Sequence, residues 1–303
     1  MPLATHHIEG HAAGPHLLIT GGVHGDEFEP MVAIRSLIAR LRSDELRGRV
    51  TLVPVVNEAA FRRGQRTAED GLDLARTCPG RPDGSVTERV AFELSALIRT
   101  ADFYIDLHTG GVRLKVSPLV GYMLHQNAAV LETQRRMARA FGLPIIWGTD
   151  PGLDGRSLSV ARDAHVPAIY GEYLGGDEVD PAGGEAYVGG CTNVMRELGL
   201  LPGPSWPPRT PPLVVEDSRP NSGHMQVNHP SPCDGFFASD VKLGQRVQAG
   251  ERIGTVCDVL GQRVEPIHAR YAGLVIVLHT FHRIDAGSSV AVILETGANQ
   301  PPP

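Results

Sequence analysis

Two residues with metal-binding side chains stand three positions apart near the start of the chain. The stretch LLITGGVHGDEFEP, residues 17–30, is an apolar run followed by two glycines and then by His24 and Glu27. Glycines allow a sharp turn as the chain leaves a strand, so both side chains can face one point. Such a pair offers two ligands to a divalent metal, and a catalytic zinc site needs a third protein ligand and an open position. The sequence therefore predicts another histidine at a strand end.

The stretch FYIDLHTGG supplies that histidine. His108 stands at the carboxyl end of a run that is typical of a buried strand. Strand ends in open α/β sheets are where ligands bind. Asp106, two residues earlier, shares the strand face of His108 and is a candidate for orienting the imidazole. We predict that His24, Glu27 and His108 bind one zinc ion per subunit.

A metal-activated water still requires a base that takes its proton and passes it to a leaving amine. Glu172 ends the apolar run VPAIYGEY, residues 166–173, and is the best candidate for this base. A carboxylate beside a buried strand end can have the raised pKa that acid/base catalysis uses. Either Arg66 or Arg76, both in the segment 57–80, could donate to a developing oxyanion.

The remaining titratable residues have simpler interpretations. An isolated His-x-x-Glu pattern is weak evidence, because helices carry it by chance, and only its context strengthens it. We predict that Asp26 and Glu29 are a solvated pair at a helix N-terminus, that Asp73 anchors its own loop, and that His6, His7, His11 and His16 lie at the surface. No partner at ligand spacing accompanies His125, His165, His224, His229, His268, His279 or His282.

The first 200 residues alternate short apolar runs with segments of helical period, which is typical of an α/β domain with a largely parallel or mixed sheet. Strands are predicted at 16–20, 50–56, 103–107, 118–124 and 166–173. Helices are predicted from the spacing of Met31, Ile34, Ile38 and Leu41, from that of Val90, Leu94, Leu97 and Ile98, and over 127–141 and 184–198. Ser85 and Glu88 have the spacing of a capping box.

A proline-rich segment separates this part from the rest of the chain. Residues 201–213 hold six prolines, too many for a helix or a central strand. We predict a catalytic domain over 1–203, a linker over 204–220 and a small β-rich domain over 221–303. The last part has short β-branched runs broken by glycines, the pattern of an all-β barrel or sandwich. Its final residues, ANQPPP, are expected to be disordered.

Composition excludes several classes of function. The net charge is −6 and no basic stripe is interleaved with aromatic residues, which argues against nucleic acid as a partner. Lys115 and Lys242 are the only lysines, and neither lies in a phosphate-binding loop. No 18-residue apolar run or secretory signal is present, and the four cysteines form no Cys-x-x-Cys pair. We expect a cytoplasmic protein without a membrane span.

Taken in order, these motifs resemble the succinylglutamate desuccinylase/aspartoacylase family of the zinc carboxypeptidase-like superfamily. The motifs are GGVHGDE, the loop with DGLDLAR and PG, DLHTG and GEYLGG, and the resemblance covers nearly the whole chain. It implies an α/β fold with a mixed central sheet flanked by helices and a C-terminal barrel-like β domain. It also implies hydrolysis of the amide bond of a small N-acyl amino acid by zinc-activated water.

The resemblance also implies roles for individual residues. His24, Glu27 and His108 match the zinc ligands, and Glu172 matches the general base. Arg66 matches the arginine that polarises the scissile carbonyl, Asn57 heads the same loop, and Arg76 matches the arginine that holds a substrate carboxylate. We therefore treat Asn57 and Arg76 as substrate-binding residues.

One residue departs from the pattern of the family. Members typically have Asp-Leu-Asn-Arg where this chain has Asp73-Leu74-Ala75-Arg76, so the amide that assists the arginine is missing. A hydrogen bond to a charged group contributes about 1.5–3 kcal/mol, so its loss weakens carboxylate binding. The substrate is therefore expected to lack that carboxylate or to present it differently.

Two other functions compete with the deacylase. A metallocarboxypeptidase would use the same ligands to cut short peptides, and substrate size distinguishes the two. A non-enzymatic binding or carrier protein is suggested by the similarity of the C-terminal part to lipoyl- and biotin-carrier folds, but VLGQRVEPIHARYAGLV offers no lysine to modify. The sequence leaves open the acyl group, the amine, the choice among zinc, cobalt and manganese, and a homo-oligomeric state.

Overall fold

The computed structural model describes residues 3–176, 178–206, 210–225 and 228–295. The α-helices are α1 (Phe28–Arg40), α2 (Glu58–Arg63), α3 (Val86–Thr100), α4 (Ala128–Phe141), α5 (Ser157–Asp163) and α6 (Pro181–Glu197), and a 3₁₀ turn spans Leu74–Arg76. The strands up to α6 are β1 (His6–Glu9), β2 (Ala12–Thr20), β3 (Arg47–Val53), β4 (Phe103–His108), β5 (Leu114–Met123), β6 (Ile145–Thr149) and β7 (Ala168–Gly175). After α6 come β8 (Leu213–Glu216), β9 (Gly235–Ser239), β10 (Arg246–Val247), β11 (Arg252–Cys257), β12 (Val264–His268), β13 (Gly273–His279), β14 (Arg283–Ile284) and β15 (Ala291–Leu294).

A mixed sheet forms the centre of the molecule. Strands β3, β2, β4 and β7 are parallel neighbours in that order, and β5 joins β7 in the antiparallel sense. Strand β6 extends the sheet parallel to β5, and β1 closes the opposite edge against β3. The parallel arrangement brings the carboxyl ends of β2, β4 and β7 to one edge of the sheet. The predicted mixed central sheet is confirmed.

Helices cover both faces of this sheet. In β2, Ile19 packs with the core under α1, α4 and α6, whereas its neighbour Leu18 packs with the core under α3 and α5. Successive strand residues point to opposite faces, so a strand covered on both sides reads as a continuous apolar run. This explains why "HLLIT" has no polar alternation. The predicted capping box of Ser85 and Glu88 is present at the start of α3.

The C-terminal part adds strands to the central sheet and forms a second sheet. Strand β13 pairs with β5, and β10 and β15 pair with β13, all antiparallel. The second sheet has the order β12-β11-β9-β14 and is antiparallel. The prediction of β structure after the proline-rich segment is confirmed. The predicted disorder of ANQPPP concerns residues outside the described part.

Part of the predicted linker is a strand. Residues 213–216 form β8, which pairs in parallel with β6 through Ile145↔Leu213 and Ile146↔Val214. The last proline of the segment 201–213 is at position 212. Leu213, Val214 and Val215, which follow it, each have the backbone N–H group that pairing with a strand requires. The three-part domain division stays a prediction.

Two predictions of surface exposure were wrong. His16 is 8% exposed, and its ring nitrogens lie 2.8 Å from Thr51 Oγ1 and 3.0 Å from the Thr100 carbonyl oxygen. Glu29 is 2% exposed, and its Oε1 accepts a hydrogen bond from the Asp180 N–H group. Both residues are covered by segments distant in the sequence, which a local pattern does not reveal. Within the described residues, no helix has the length and apolar character needed to span a membrane.

Candidate metal centre and substrate pocket

The turn after β2 places the first two candidate ligands. Gly22 has a φ of +65°, a conformation that L side chains rarely adopt. A Cβ atom at Gly25 would lie 2.1 Å from the Ala60 carbonyl carbon, so only glycine fits against α2 there. The two glycines let the chain turn between β2 and α1, with His24 in the turn and Glu27 as the residue before α1.

Three side chains converge on one point at the carboxyl edge of the sheet. His24 Nδ1 lies 2.6 Å from Glu27 Oε1, and His108 Nδ1 lies 3.1 Å from Glu27 Oε2. One ligand atom from each of the three lies within 4.8 Å of the others, and among the described residues no other group of His, Cys, Asp and Glu does so. Two imidazoles and one carboxylate suit a divalent cation such as zinc, so the donor set fits the implied metal.

A carboxylate contacts the Nε2 atom of each imidazole, on the side of the ring opposite Glu27. His24 Nε2 lies 3.0 Å from Asp73 Oδ1, and His108 Nε2 lies 3.1 Å from Asp106 Oδ2. Asp106 is itself held by hydroxyl hydrogen bonds from Thr20 and Ser157. Each histidine thus turns its Nδ1 atom toward Glu27 while a carboxylate fixes its Nε2 atom. This is the arrangement in which outer carboxylates fix the ring orientation of metal-binding histidines.

The electrostatics keep the carboxylates of this group ionised. Burial raises the pKa of Glu27, but the charge of His24 and hydrogen bonds from His108 and His24 outweigh it, and the pKa lies well below its usual range. Asp73 behaves in the same way, with His24 and Arg66 overcoming the effect of burial. Burial lowers the pKa of His108, but Asp106 and Glu27 raise it well above the ordinary value. The ionised carboxylates of Glu27 and Asp73 therefore favour a positive charge at this point.

Glu172 lies beside this group with an unused carboxylate oxygen. Strand β7 is paired with β4 so that Glu172 is opposite His108. The side chain is 6% exposed, and its Oε2 atom has no hydrogen-bond partner among the described residues. Burial raises the pKa of Glu172 to about 8, with Glu27 adding to the shift and His108 opposing it. A carboxyl group with such a pKa can both accept and release a proton near neutral pH.

Arg66 is fixed next to the metal-binding group. Its Nε and Nη2 atoms donate to Asp73 Oδ2 at 3.2 and 3.0 Å, and Nη1 lies 3.7 Å from Glu27 Oε1. Burial opposes its charge, but Asp73 and Glu27 raise the pKa of Arg66. Asp73 therefore joins His24 to Arg66, a more specific role than the loop anchor that was predicted.

A cavity of about 70 Å³ opens on this group. It contacts the predicted residues His24, His108, Glu172, Arg66 and Arg76. Its other lining residues are Ala75, Asp106, Met123, Thr149, Arg156, Ser157, Leu158, Tyr170, Gly223 and Met225. We call this cavity the substrate pocket. It brings five of the seven predicted site residues to one space, and Glu27, which does not line the cavity, contacts both His24 and His108.

Asn57 is not among the residues that line the pocket. It is fully buried, and its side-chain oxygen accepts a hydrogen bond from Ala60 N–H at the start of α2. This is the ordinary function of asparagine before a helix. Its predicted substrate contact stays a prediction, favoured by an Nδ2 atom that has no hydrogen-bond partner among the described residues.

Arg156 lines the pocket and was missed by the sequence reasoning. It is the residue before α5, and its positive charge adds to the effect of burial in lowering the pKa of the Arg76 guanidinium. A cation at a helix N-terminus is opposed by the helix dipole. An arginine at the start of the helical segment in "GLDGRSLSV" is therefore unusual, and this feature of the sequence could have identified Arg156 as a candidate.

The chain is similar over most of its length to a bacterial deacetylase and to the solved structure of an ectoine utilization protein. It is 33% identical over 292 residues to the Nα-acetyl-L-2,4-diaminobutyric acid deacetylase of Halomonas elongata, covering 93% of this chain and 82% of the relative. It superposes with a TM-score of 0.86 and 31% identity on the product-bound ectoine utilization protein EutE (DoeB) from Ruegeria pomeroyi, covering 95% of this chain and 87% of that one.

A further solved structure and a family profile are also similar to this chain. The succinylglutamate desuccinylase/aspartoacylase structure from Rhodobacter sphaeroides gives a TM-score of 0.85 at 27% identity, over 97% of this chain and 88% of that one. The profile of the succinylglutamate desuccinylase/aspartoacylase catalytic domain matches residues 13–195, which contain all the candidate ligands and Glu172. On these grounds the chain belongs to the succinylglutamate desuccinylase/aspartoacylase family.

Proposed function

We propose that the protein hydrolyses the amide bond of a small N-acyl amino acid with the help of one bound divalent cation, zinc being the first candidate. The observation that carries this proposal is the convergence of His24, Glu27 and His108 beside Glu172, whose Oε2 atom has no hydrogen-bond partner among the described residues. The relative from Halomonas elongata, named as a deacetylase of an N-acetyl amino acid, supports the same class of reaction. The reaction would take place in the cytoplasm.

His24, Glu27 and His108 would hold a divalent cation, which would supply Lewis acidity to the reaction. Glu172 then takes the proton of the attacking water and delivers it to the leaving amine. Its burial and its raised pKa fit both steps, because the group must hold a proton between them. The net result is a carboxylic acid and a free amine.

Arg66 would stabilise the oxyanion that develops on the scissile carbonyl. Asp73 holds its guanidinium through Nε and Nη2, which leaves Nη1 on the side of Glu27. A fixed donor of this kind typically contributes about 2.7–4 kcal/mol to transition-state stabilisation. Arg66 would thus act at the carbonyl, and Arg76 would contact the substrate carboxylate.

The carboxylate of the substrate would bind Arg76 and Arg156. Ala75 lines the pocket where family members have asparagine, so the expected amide donor is absent from that wall. Arg156 stands on the same pocket and offers a charged donor in its place. The departure at Ala75 therefore does not require a substrate without a carboxylate.

The test is amine release from N-acetyl and N-succinyl amino acids by the zinc-loaded protein, with a short peptide as the competing substrate. A pocket of about 70 Å³ favours a small substrate over a peptide. Release of the amine from an N-acyl amino acid but not from the peptide is the expected result. Cleavage of the peptide alone would establish the carboxypeptidase alternative, and zinc binding without any turnover would contradict both enzymes.

A further inference from the structure

A second cavity, with a volume of about 270 Å³, lies next to the substrate pocket. Residues of strands β6, β8 and β15, the residue Tyr271 and residues of the segment 217–223 contribute to its lining. Its described lining contains none of the seven predicted site residues. We call it the side cavity. Its volume is close to the lower limit of about 300 Å³ for pockets that bind small molecules.

Strand β6 runs beneath both cavities. Trp147 lines the side cavity, and Thr149 lines the substrate pocket. The two residues stand two positions apart on β6, so their side chains share one face and their Cα atoms are about 7 Å apart. A ligand in the side cavity would therefore lie beside the substrate pocket and not in it.

One short segment separates the two cavities. Gly223 lines both of them, and a Cβ atom at Gly223 would lie 2.7 Å from Thr149 Cγ2, so this segment packs directly on β6. The same glycine borders the end of the substrate pocket that carries Arg76 and Arg156, the arginine end, because Arg156 Nη1 donates to its carbonyl oxygen at 3.4 Å. A ligand that shifted or stiffened residues 221–223 would therefore change a wall of the substrate pocket.

Trp147 supplies a hydrogen-bond donor that the protein does not use. The residue is 4% exposed, and its Nε1–H group has no hydrogen-bond partner among the described residues. Buried indole N–H groups usually have an acceptor, because an unpaired buried donor is costly. Since Trp147 lines the side cavity, a ligand oxygen there would provide the acceptor.

The acidic side chains that line the side cavity outnumber the basic ones. Glu216 is paired with Arg135, which lies 2.8 Å away. Asp217 and Glu295 share a single guanidinium, that of Arg219, at 2.6 and 2.7 Å. One negative charge is left over among these five groups, which favours a ligand with a positive charge.

Tyr271 adds an aromatic ring and a hydroxyl group to the wall. Burial raises the pKa of this hydroxyl, with Glu295 adding to the shift and Arg219 and Arg270 opposing it, so the group is neutral at pH 7. Ammonium groups are attracted to aromatic faces as well as to carboxylates. The side cavity therefore combines an N–H donor for an anionic oxygen with an acidic and aromatic environment for an ammonium group.

We propose that the side cavity binds a free α-amino acid, whose carboxylate accepts a hydrogen bond from Trp147 and whose ammonium group lies against Asp217 and Glu295. A free amino acid is also a product of the proposed reaction. Accumulated product would thus act on the segment 221–223 and slow turnover. The binding step depends on the side cavity alone, whereas the control by product rests on the proposed function.

The fluorescence of Trp147 tests the binding step. Trp147 and Trp206 are the only tryptophans, and Trp206 is 67% exposed, so Trp206→Phe leaves Trp147 as the single reporter. The zinc-loaded variant is titrated with L-norvaline, with pentanoate, which lacks the ammonium group, and with butylamine, which lacks the carboxylate. We expect a saturable change of emission with norvaline and a Kd at least about tenfold lower than that of either analogue. Equal affinity for the three compounds, or no saturable change with norvaline, would overturn the proposal.

A carboxylate variant locates the bound amino acid. Glu295→Gln removes the excess negative charge and should raise the Kd of norvaline at least about tenfold. Glu265→Gln is the matched control, because it removes a carboxylate paired with Arg263 outside the side cavity, and it should leave this Kd within about threefold of the parent value. The same Kd in a folded Glu295→Gln variant and in its control would exclude the side cavity as the binding site.

Inhibition kinetics separate the side cavity from the substrate pocket. Norvaline bound in the side cavity should lower the kcat for Nα-acetylnorvaline, because substrate does not displace it, and Glu295→Gln should relieve this inhibition. Purely competitive inhibition, which changes KM alone, would place the amino acid in the substrate pocket and refute the control by product. If the zinc-loaded protein hydrolyses no N-acyl amino acid, the proposed function fails, and the titration of Trp147 still decides whether the side cavity binds an amino acid.

Discussion

The two ends of the substrate pocket differ in how completely their polar groups are paired. At the metal end, each ring nitrogen of His24 and His108 has a carboxylate oxygen within 3.1 Å. At the arginine end, Arg156 has two buried guanidinium nitrogens without a partner in the described part of the chain. The protein itself thus pairs the polar groups of the metal end, whereas these two nitrogens of Arg156 are donors that a ligand could use.

The two ends of the pocket are built from different kinds of structural element. The paired strands β4 and β7 supply His108 and Glu172, and a glycine turn after β2 supplies His24, so a rigid framework sets their spacing. Loops and the segment after β8 supply Arg156 and Met225. Sites on strands are positioned more precisely than sites on loops. We expect chemistry to depend on the first end and substrate choice on the second.

Removing a metal ligand should have the largest effect. His108→Ala and His24→Ala each remove one of three donors, so we expect loss of bound zinc and at least about a thousandfold loss of kcat/KM. Metal content measured by mass spectrometry checks the binding, with His125→Ala as a control outside the pocket. Full zinc occupancy in either variant would remove that histidine from the ligand set and would weaken the contrast between the two ends.

Removing the proposed base should separate chemistry from metal binding. Glu172→Gln keeps the shape of the side chain but cannot take a proton, so we expect zinc to stay bound while kcat falls at least about a hundredfold. Steady-state kinetics together with metal analysis measure both quantities. Normal turnover by this variant would show that another group serves as the base.

Removing a cation from the arginine end should affect binding instead. Arg156→Gln loses charged hydrogen bonds to the substrate carboxylate, and we expect KM to rise roughly tenfold to a hundredfold while zinc content is unchanged. Arg162→Gln, which removes an arginine paired with Asp154 and Asp163, is the matched control. A loss confined to kcat with KM unaltered would place Arg156 at the reacting carbonyl and not at the carboxylate.

The smallest effect concerns stability of the metal-free protein. Burial raises the pKa of Glu172 to about 8, so between about pH 5 and pH 8 the folded state keeps a proton that the unfolded state has released. Wild-type stability therefore falls as pH rises through this window, and Glu172→Gln lacks this loss. We expect the variant to gain on the order of 1–3 kcal/mol over the wild type between pH 5 and pH 8, measured by urea unfolding with chelator present. A constant difference across this range would show that Glu172 does not titrate there.

Much of the metal end could be predicted from the sequence because its signals are local. His24 and Glu27 follow a strand and two glycines, and His108 and Glu172 each end an apolar run. The position of these strands in one sheet then follows from the alternation of strands and helices. The orienting role of Asp106 was also predictable, since residues two apart on a strand share a face.

The arginine end could not be predicted in the same way. Arg156 stands in a loop before a helix of seven residues, and Met225 lies far along the chain, so no period or spacing connects them. Their meeting depends on contacts between Asp150, Asn221 and Ser222, which are tertiary. The burial of His16 and Glu29 was missed for the same reason.

The pairing of C-terminal strands with the central sheet limits how this protein can be taken apart. Strand β8 hydrogen-bonds to β6, and β13 hydrogen-bonds to β5. A cut within the proline-rich segment would leave two unpaired strand edges on the catalytic half, and such edges promote aggregation. An exchanged C-terminal half from a relative would have to match the register of both pairs. The chain therefore does not behave as two interchangeable modules, and recombination between family members should succeed only where both strand pairings are preserved.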